Sequence, residues 1–431
     1  MSPTRYPDGH VFFRKLNWDY PRVTHGKGCW LHDDAGRSYL DASGGAFVSN
    51  LGHGIAEIAD AMSAQAKKLA YVSGMTMTHD AVEQFADALA ERCAGDLDKV
   101  YPLSSGSDAV EAALKLARQY WSELGKPTKT RIIALTPSYH GNTLLALSAS
   151  AREHYKKAFG GWLLDMIRVP AYDADAFEAA MREAGPESIA AFIAEPVGGS
   201  STGALVPPSG YWRRVRELCT SNEVLLVADE ILAGAGRTGT WSALEPDAVV
   251  PDIQIFGKGI AAGYAPLAAV VAPSRIVDVL AQGSGGLNHA QTFSHHAVSC
   301  AAGTATIRYL TEHKLVERCA TMGRAMHERL GALRDLPNVG AIQGRGLLAG
   351  VEFVDAQTRK PLPRSAHFAE SLTRAALDAG LVIWPNVGHA DGTNGDLILL
   401  APPFIVSDDE LDQIVTRLRR AIAAALTAVM H

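Results

Sequence analysis

Short apolar runs, each bounded by turn residues, recur along the first two thirds of the chain. Because these runs lack polar alternation, they predict strands that are buried on both faces. Helical patterns, with apolar residues three and four positions apart, lie between several of them. The predicted strands cover residues 132–135, 166–169, 189–194, 224–228, 253–256 and 267–272, and the predicted helices cover 108–119, 175–184 and 211–219, the last capped by Ser209. This alternation is typical of an α/β protein with a mostly parallel sheet.

The last third of the chain has a different pattern, in which long alanine-rich amphipathic helices are separated by short strands. Ser407 and Glu410 form a capping box at the start of the final helix. We predict a large α/β domain over residues 51–305 and a smaller α+β domain over residues 306–431, which the N-terminal segment 1–50 joins. A ligand site is expected in the cleft between the domains. The helices are predicted at 313–333, 366–379 and 408–430, and the strands at 350–353 and 397–400.

Composition and charge limit the classes of molecule that the protein is expected to bind. The 431 residues include 40 basic and 46 acidic side chains, a net charge of −6 without a lysine or arginine run, so nucleic acid is not expected as the main partner. No apolar run is long enough to span a membrane, and the N-terminus lacks the apolar core of a signal peptide. The 5 cysteines lie far apart without a CxxC pair, which favours a reducing compartment and predicts a cytoplasmic protein with a small-molecule site.

Two glycine patterns match the dinucleotide-binding template but lack its context. GAGRTG at 234–239 and GKGIAA at 257–262 each follow a predicted strand. The template needs glycines that open a helix, whereas TWSALEPD follows the first pattern and Gly263 and Pro266 follow the second. Walker A, HExxH and GxSxG motifs are absent from the sequence, so these nucleotide, metalloprotease and hydrolase functions are unsupported and no metal site is predicted.

A stronger signal is the segment SSGSDAVEAALKLARQY at 104–120, where a predicted strand runs into a Ser/Gly turn and then a helix. Free backbone N–H groups at such a helix start, with the hydroxyls of Ser105 and Ser107, would bind a phosphate dianion. The alternative is a serine N-cap, with Asp108 favouring the helix dipole. This segment alone leaves both interpretations open.

Residues suited to cofactor chemistry follow three other predicted strands. Asp229 comes directly after VLLVA, and it is either a structural carboxylate or the partner of a cationic ring nitrogen. Lys258, flanked by glycines, is either a solvated lysine or a desolvated amine that can form a Schiff base. Tyr139 and His140 are core residues in one interpretation. In the other, the Tyr139 ring stacks on a planar cofactor ring. Pyridoxal phosphate requires four features together, namely a phosphate-binding turn, an aromatic residue that stacks on the ring, a buried acid and an accessible lysine.

The order and spacing of nine segments make the chain resemble the class III aminotransferases of pyridoxal-phosphate fold type I over nearly its whole length. The resemblance implies a large domain with a mostly parallel seven-stranded sheet and a smaller α+β domain built from both termini. The segments are YLDASGGAFVSNLGHG, SSGSDAVEAALKLARQY, YHGNT, AEPVGG, ADEILAGAGRTG, FGKGIAAGYAPLAAV, HAQTFSHHAVSCAAG, GRGLLAGVEF and LAPPFIVSDDELD.

The resemblance implies a role for each matching residue. Lys258 would form the Schiff base and Asp229 would pair with the pyridinium nitrogen, which makes these two the catalytic residues. The substrate pocket would include Phe47, Tyr139 and Leu399. The remaining cofactor-binding residues would be Ser105, Gly106 and Ser107 at the phosphate, Tyr139 and Ile231 on the two faces of the ring, and His140 and Glu195 close to them.

The resemblance also implies an assembly. Thr292 is similar to the family threonine that reaches the phosphate of the neighbouring subunit, so a homodimer with shared active sites is expected. An ordinary helix cap before SHHAVSCAAG is the alternative role for this threonine.

The chain departs from the family at two substrate positions. Leu399 and Asn142 stand where members that act on α-amino acids, ornithine or 4-aminobutyrate carry arginines, and residues 381–400 contain no arginine. Leaving a carboxylate unpaired in a buried site is unfavourable, so apolar amines or diamines are favoured as donors. A carboxylate substrate could still find Arg152, Lys156 or Lys157.

The expected activity is transamination by a ping-pong mechanism, from a primary amine or ω-amino donor to a keto acid such as pyruvate. An aminomutase, a decarboxylase or a racemase of the same fold remains an alternative, as does a cofactor-binding scaffold without catalysis.

Overall fold

In the computed structural model, which describes residues 5–429, the chain forms three β-sheets flanked by helices. The strands are β1 (Val23–Lys27), β2 (Trp30–Asp33), β3 (Ser38–Asp41), β4 (Leu97–Leu103), β5 (Arg131–Thr136), β6 (Ile167–Pro170), β7 (Ile189–Ala194), β8 (Leu225–Asp229), β9 (Ile253–Phe256), β10 (Ala268–Pro273), β11 (Val339–Arg345), β12 (Leu348–Phe353), β13 (Leu381–Val382), β14 (Trp384–Val387) and β15 (Asp396–Leu400).

Helices connect most of these strands. The α-helices are α1 (Gly44–Phe47), α2 (Ala56–Lys68), α3 (Asp80–Ala90), α4 (Gly106–Glu123), α5 (Leu144–Ala149), α6 (Glu153–Lys156), α7 (Ala174–Ala184), α8 (Tyr211–Ser221), α9 (Ser274–Gln282), α10 (Ala297–Glu312), α11 (Leu315–Leu330), α12 (Phe368–Asp378) and α13 (Asp408–Val429). Short 3-10 helices cover Gly160–Trp162, Pro186–Ser188, Glu245–Asp247, Lys258–Ala261, Gly331–Asp335 and Arg364–Ala366.

The largest sheet has seven strands in the order β4-β10-β9-β8-β7-β5-β6. Neighbouring strands from β9 to β6 run parallel, and only β10 is antiparallel to both of its neighbours. Every residue of β7, β8, β9 and β10 is buried, including the polar Asp229 of β8 and Gln254 of β9, as their largely apolar sequences predict. The predicted mostly parallel α/β sheet is therefore confirmed.

Most predicted boundaries agree with the structure within a few residues, and β7 and β9 agree at both ends. The capping box is confirmed, since the Ser407 N–H donates to Glu410 Oε2 at 2.9 Å and the Glu410 N–H donates to Ser407 Oγ at 3.2 Å. The Ser209 cap is wrong. Gly210 precedes α8 in a left-handed conformation, φ 82°, without a side-chain cap, so Ser209 lies one residue too early. Residue 430 of the predicted last helix lies outside the described residues.

Two smaller sheets hold the ends of the chain. One has the order β1-β2-β3-β13, in which Leu381 of β13 pairs in parallel with Leu40 of β3. The other is antiparallel, in the order β11-β12-β15-β14. The division into segments 1–50, 51–305 and 306–431 stays a prediction. The pairing of β3 with β13 supports it, because it joins the N-terminal segment to the last third of the chain.

The sheet topology places the candidate residues together. The carboxyl ends of parallel strands meet at one edge of a sheet, where α/β proteins bind their ligands. Residue Tyr139 follows β5, Glu195 follows β7, Asp229 ends β8 and Lys258 follows β9. Four residues from distant parts of the sequence therefore converge at this edge.

Candidate active site

A cavity of about 280 Å³ opens at this edge of the large sheet. It contains most of the predicted site residues, and two predicted residues, Thr292 and Leu399, lie outside its wall. The predicted residues that line it are Phe47, Ser105, Gly106, Ser107, Tyr139, His140, Glu195, Asp229, Ile231 and Lys258.

Lys258 opens the 3-10 helix after β9 in a left-handed backbone conformation, φ 44°, which is unfavourable for a residue with a side chain. Strain of this kind persists where the surrounding structure imposes it, and here it places the amine in the cavity. Burial lowers the pKa of the Lys258 amine, and the nearby charges of Asp229 and Glu195 partly oppose that shift. A larger fraction of the amine is therefore neutral and nucleophilic than for a lysine in water.

Asp229 is the buried acid at the end of β8, with 3% of its surface exposed. Its Oδ2 lies 2.6 Å from Nδ1 of His140, and its Oδ1 accepts a hydrogen bond from the Ile231 N–H at 3.1 Å. An ionised carboxylate only accepts hydrogen bonds, so His140 Nδ1 carries the donated proton. The His140 ring is buried, and it therefore fixes the orientation of Asp229. A carboxylate held in this way suits a cationic ring nitrogen.

Glu195 is a second buried carboxylate in the cavity wall. It accepts hydrogen bonds from the backbone N–H groups of Tyr139 at 3.2 Å and Gly199 at 3.0 Å. Burial raises the pKa of Glu195, and the neighbouring His140 acts in the opposite direction. These contacts occupy the carboxylate with backbone donors, so its role is to hold the Tyr139 segment in place.

The start of α4 forms the predicted phosphate cradle. Ser105 caps the helix, since its Oγ accepts from the Asp108 N–H at 3.3 Å and donates to Asp108 Oδ2 at 2.6 Å. Ser107 Oγ accepts from the Asn142 N–H at 3.0 Å. The N-cap interpretation of this segment is thus confirmed, and it is compatible with phosphate binding because Ser105, Gly106 and Ser107 also line the cavity.

A slot in the cavity is lined by Tyr139, Ile231 and Gly106. Tyr139 Oη accepts from Asn142 Nδ2 at 2.9 Å. A Cβ at Gly106 would lie 2.9 Å from Ile231 Cδ1, and one at Gly257 would lie 3.2 Å from Ile231 Cγ2. A larger residue at either position would push against the Ile231 side chain.

These features fit pyridoxal phosphate. The cavity combines a desolvated amine, a buried carboxylate, an aromatic wall and a helix start that suits a phosphate dianion. Within residues 5–429 no cluster of three or more His, Cys, Asp or Glu residues could hold a metal ion. None of the helices in that range is long and apolar enough to cross a membrane.

Arg152 is a buried cation in the same wall. Its guanidinium donates to Ser201 Oγ at 2.9 Å, to Ser200 Oγ at 3.1 Å and to Asn386 Oδ1 at 2.6 Å. In the described part of the chain, no carboxylate lies within 4.0 Å of it. Of the three cations considered from the sequence, Arg152 is the one in the cavity wall, since Lys156 and Lys157 lie outside it.

Several residues of the cavity wall were not found by sequence reasoning. Three of them lie within the matching segments without an assigned role, and four lie outside those segments, where only the packing of loops brings them to the cavity. They are Arg14, Ala46, Gly141, Tyr155, Ser200, Leu232 and Trp384.

Leu399 and Thr292 lie elsewhere. Leu399 is fully buried in β15, in register with Trp384 and in one apolar cluster with Phe47, so it lies behind the residues that line the cavity. Thr292 is exposed. The helix-cap alternative for Thr292 is wrong, because α10 is capped by His296, whose side chain accepts from the Ser299 N–H.

Comparison with known proteins agrees with this geometry. Residues 17–422 match the family model described as Aminotransferase class-III. An uncharacterized aminotransferase of Bacillus subtilis, YodT, is 34% identical over 95% of this chain and 96% of its own. A crystal structure of a transaminase from the marine bacterium Virgibacillus superposes with a TM-score of 0.90 at 34% identity, covering 95% of this chain and 94% of that one.

A structure of the omega transaminase from Pseudomonas jessenii in complex with PMP has a TM-score of 0.90 at 27% identity, covering 98% of this chain and 97% of that one. The family match spans nearly the whole chain and the fold agrees with solved transaminases. The chain therefore belongs to the class III aminotransferases and is a pyridoxal-phosphate-dependent enzyme of fold type I.

Proposed function

We propose that the enzyme moves an amino group from a primary amine or ω-amino donor to a keto acid such as pyruvate by a ping-pong mechanism. The observation that carries this proposal is the convergence of Lys258 and Asp229 in one cavity whose wall also holds the buried cation Arg152. Similarity to an omega transaminase supports the same class of donor.

Different residues of the chain would hold the cofactor, transfer the proton and keep the ring nitrogen protonated. Bound pyridoxal phosphate supplies a ring that accepts the electrons released when the substrate C–H bond breaks. Lys258 Nζ would hold the cofactor and, once released by the donor amine, would move a proton between the substrate carbon and the cofactor C4′. Asp229, oriented by His140, keeps the ring nitrogen protonated.

The other site residues would bind the cofactor and fix the orientation of its ring. Ser105, Gly106 and Ser107 at the start of α4 would hold the phosphate, and Tyr139 and Ile231 would hold the two faces of the ring. A fixed ring orientation aligns the breaking C–H bond with Lys258, which is a positioning effect.

Arg152 would bind the carboxylate of the keto acid. A guanidinium forms two parallel hydrogen bonds with a carboxylate, and this pairing is stronger in a buried site than in water. Ser200, Ser201 and Asn386 fix the guanidinium without neutralising it. The carboxylate of the keto acid can therefore pair with Arg152, although Leu399 and Asn142 replace the arginines of other members.

A homodimer with shared sites is part of the proposal. Thr292 is exposed and lies outside the cavity of its own chain, which supports a role at the phosphate of a second copy. The 5 free cysteines favour a reducing compartment, so we propose a cytoplasmic location.

The test is a donor and acceptor panel with purified enzyme and added pyridoxal phosphate. Arylalkylamines, diamines, β-alanine, 4-aminobutyrate and ornithine are each offered with and without pyruvate. We expect alanine to form only when donor and pyruvate are both present, with parallel double-reciprocal plots, and we expect neutral amines to be accepted. Formation of more than one equivalent of product per active site without an acceptor would contradict transamination, and strict preference for 4-aminobutyrate or ornithine would contradict the argument from Leu399 and Asn142.

A further inference from the structure

The outer part of the active-site cavity carries a second arginine, Arg14, from the N-terminal segment. Arg14 is exposed and also lines the cavity, so its guanidinium lies where the cavity meets solvent. The guanidinium donates a hydrogen bond to the Tyr155 hydroxyl, and its carbon lies 5.3 Å from the centre of the Tyr155 ring.

Arg14 and Arg152 contact the same aromatic side chain. The guanidinium carbon of Arg152 lies 5.5 Å from the centre of the Tyr155 ring and 5.2 Å from that of Tyr139. Arg14, Tyr155, Arg152 and Tyr139 therefore form a row in which cations and rings alternate, from the solvent to the cofactor slot. This row places two positive charges along one wall of the cavity.

Neither arginine has an acidic partner among residues 5–429, where no carboxylate lies within 4.0 Å of Arg14 or Arg152. The carboxylates that line the cavity are Asp229 and Glu195. Asp229 pairs with His140, and Glu195 accepts from two backbone N–H groups. The cavity thus contains two cations that no carboxylate of the described residues pairs with, so both are available to an anionic ligand.

We propose that Arg14 is a specificity-determining residue that binds the second anionic group of a substrate, so that keto acids and amino acids with a distal carboxylate are preferred over monocarboxylates. The inference rests on the proposed function, in which Arg152 binds the carboxylate beside the keto group. A guanidinium at the cavity opening suits a distal carboxylate because it binds bidentately and remains charged at every physiological pH.

Calorimetric titration of the holoenzyme with an unreactive pair of ligands tests this proposal directly. Glutarate and pentanoate have the same chain length and differ by one terminal carboxylate. We expect glutarate to bind the wild type about tenfold more tightly than pentanoate, and Arg14→Gln to remove most of that difference, since one charge-assisted pair is lost. Arg14→Lys should keep part of it. The matched control is Arg5→Gln, because Arg5 lies in the same segment and pairs with Asp19 at 3.8 Å.

Kinetics with 2-oxoglutarate and 2-oxopentanoate give a second readout. Arg14→Gln should raise KM for 2-oxoglutarate about tenfold with kcat nearly unchanged, and should leave 2-oxopentanoate within about twofold. Equal weakening of both ligands by Arg14→Gln, or no preference for glutarate in the wild type, would overturn the proposal. Failure of every keto acid to be transaminated would refute the proposed function instead, and the calorimetric comparison would still decide the role of Arg14.

Discussion

At the scale of single residues, the chemistry depends on the protonation of Lys258. Burial lowers the pKa of this amine from the usual 10.5, so its neutral form is present at lower pH than in a free lysine. We expect the rate at which the apoprotein attaches pyridoxal phosphate, followed by stopped-flow absorbance, to rise with pH with a midpoint below 10.5. A rate that still increases in proportion to hydroxide above that pH would contradict the lowered pKa.

Substitution of the same residue tests its role in proton transfer. Lys258→Ala removes both the attachment point and the base, so kcat should fall by about 10³-fold or more in a donor plus pyruvate assay. The matched control is Lys156→Ala, because Lys156 lies outside the cavity and pairs with Glu153 at 3.8 Å. Turnover by Lys258→Ala at the wild-type rate would refute the catalytic assignment.

Arg152 is the residue on which acceptor binding should depend. Arg152→Gln removes a charge-assisted pair worth about 1.5–3 kcal/mol, so KM for pyruvate should rise by about tenfold to a hundredfold. KM for a neutral arylalkylamine should change much less, which steady-state kinetics with each substrate varied will show. Lys157→Gln serves as the control because Lys157 is exposed and outside the cavity. Equal changes for both substrates would indicate a structural role for Arg152.

At the scale of secondary-structure elements, the end of β8 carries a second buried acid beside Asp229. Glu230 accepts from the Ser242 hydroxyl and from the Ala243 N–H, and burial raises its pKa from 4.5 to about 7. The folded protein therefore binds this proton more tightly than the unfolded chain does. The contribution of Glu230 to the free energy of unfolding is greatest below pH 4.5 and is lost as the pH rises through about 7.

The raised pKa of Glu230 predicts that the free energy of unfolding decreases as the pH rises. Between pH 5 and pH 8 the buried charge should cost the wild type up to about 3 kcal/mol, and Glu230→Gln should show a smaller decrease over that interval because its amide stays neutral. Urea unfolding at the two pH values, with Glu312→Gln as an exposed control, measures the difference. The same decrease in all three proteins would show that Glu230 does not titrate in this range.

The elements also show which local patterns are sufficient for prediction. The β7 and β9 strands were predicted to the residue, because an apolar run between turn residues on a buried sheet has few alternatives. The predicted start of α8 at Tyr211 is confirmed, but the Ser209 cap is wrong, since Gly210 in a left-handed conformation occupies the cap position. Caps depend on the path of the chain before the helix, which the sequence pattern does not contain.

At the scale of the whole molecule, the surface around Thr292 supports the proposed homodimer. Phe293, the residue after Thr292, is 56% exposed, Tyr71 is 45% exposed, and their ring centres are 6.1 Å apart. Apolar side chains that cluster in this way on a surface are typical of a protein interface. We expect light scattering to give a mass of at least twice 45.9 kDa, and a fully active monomer would exclude shared sites.

Mixed dimers test whether Thr292 acts on the other subunit. Thr292→Ala should weaken pyridoxal phosphate binding, measured by equilibrium dialysis, because a hydroxyl donor to the phosphate is lost. In a dimer of Thr292→Ala with Lys258→Ala, the Thr292→Ala chain keeps its lysine and receives an intact Thr292 from the other chain. That site should bind cofactor as tightly as the wild type does. Weak binding there would show that Thr292 acts within its own chain, and Thr427→Ala on the exposed end of α13 is the control.

The sequence by itself determined the α/β class, the order of the main strands and the residues that follow them. Buried parallel strands are recognisable locally, and the residue after such a strand must lie at the ligand-binding edge. Asp229, Tyr139 and Lys258 were therefore found before their contacts were known. Only the tertiary structure decided which other residues line the cavity with them. Arg14 and Trp384 come from opposite ends of the chain, and loop packing, which no local pattern encodes, brings them to one cavity.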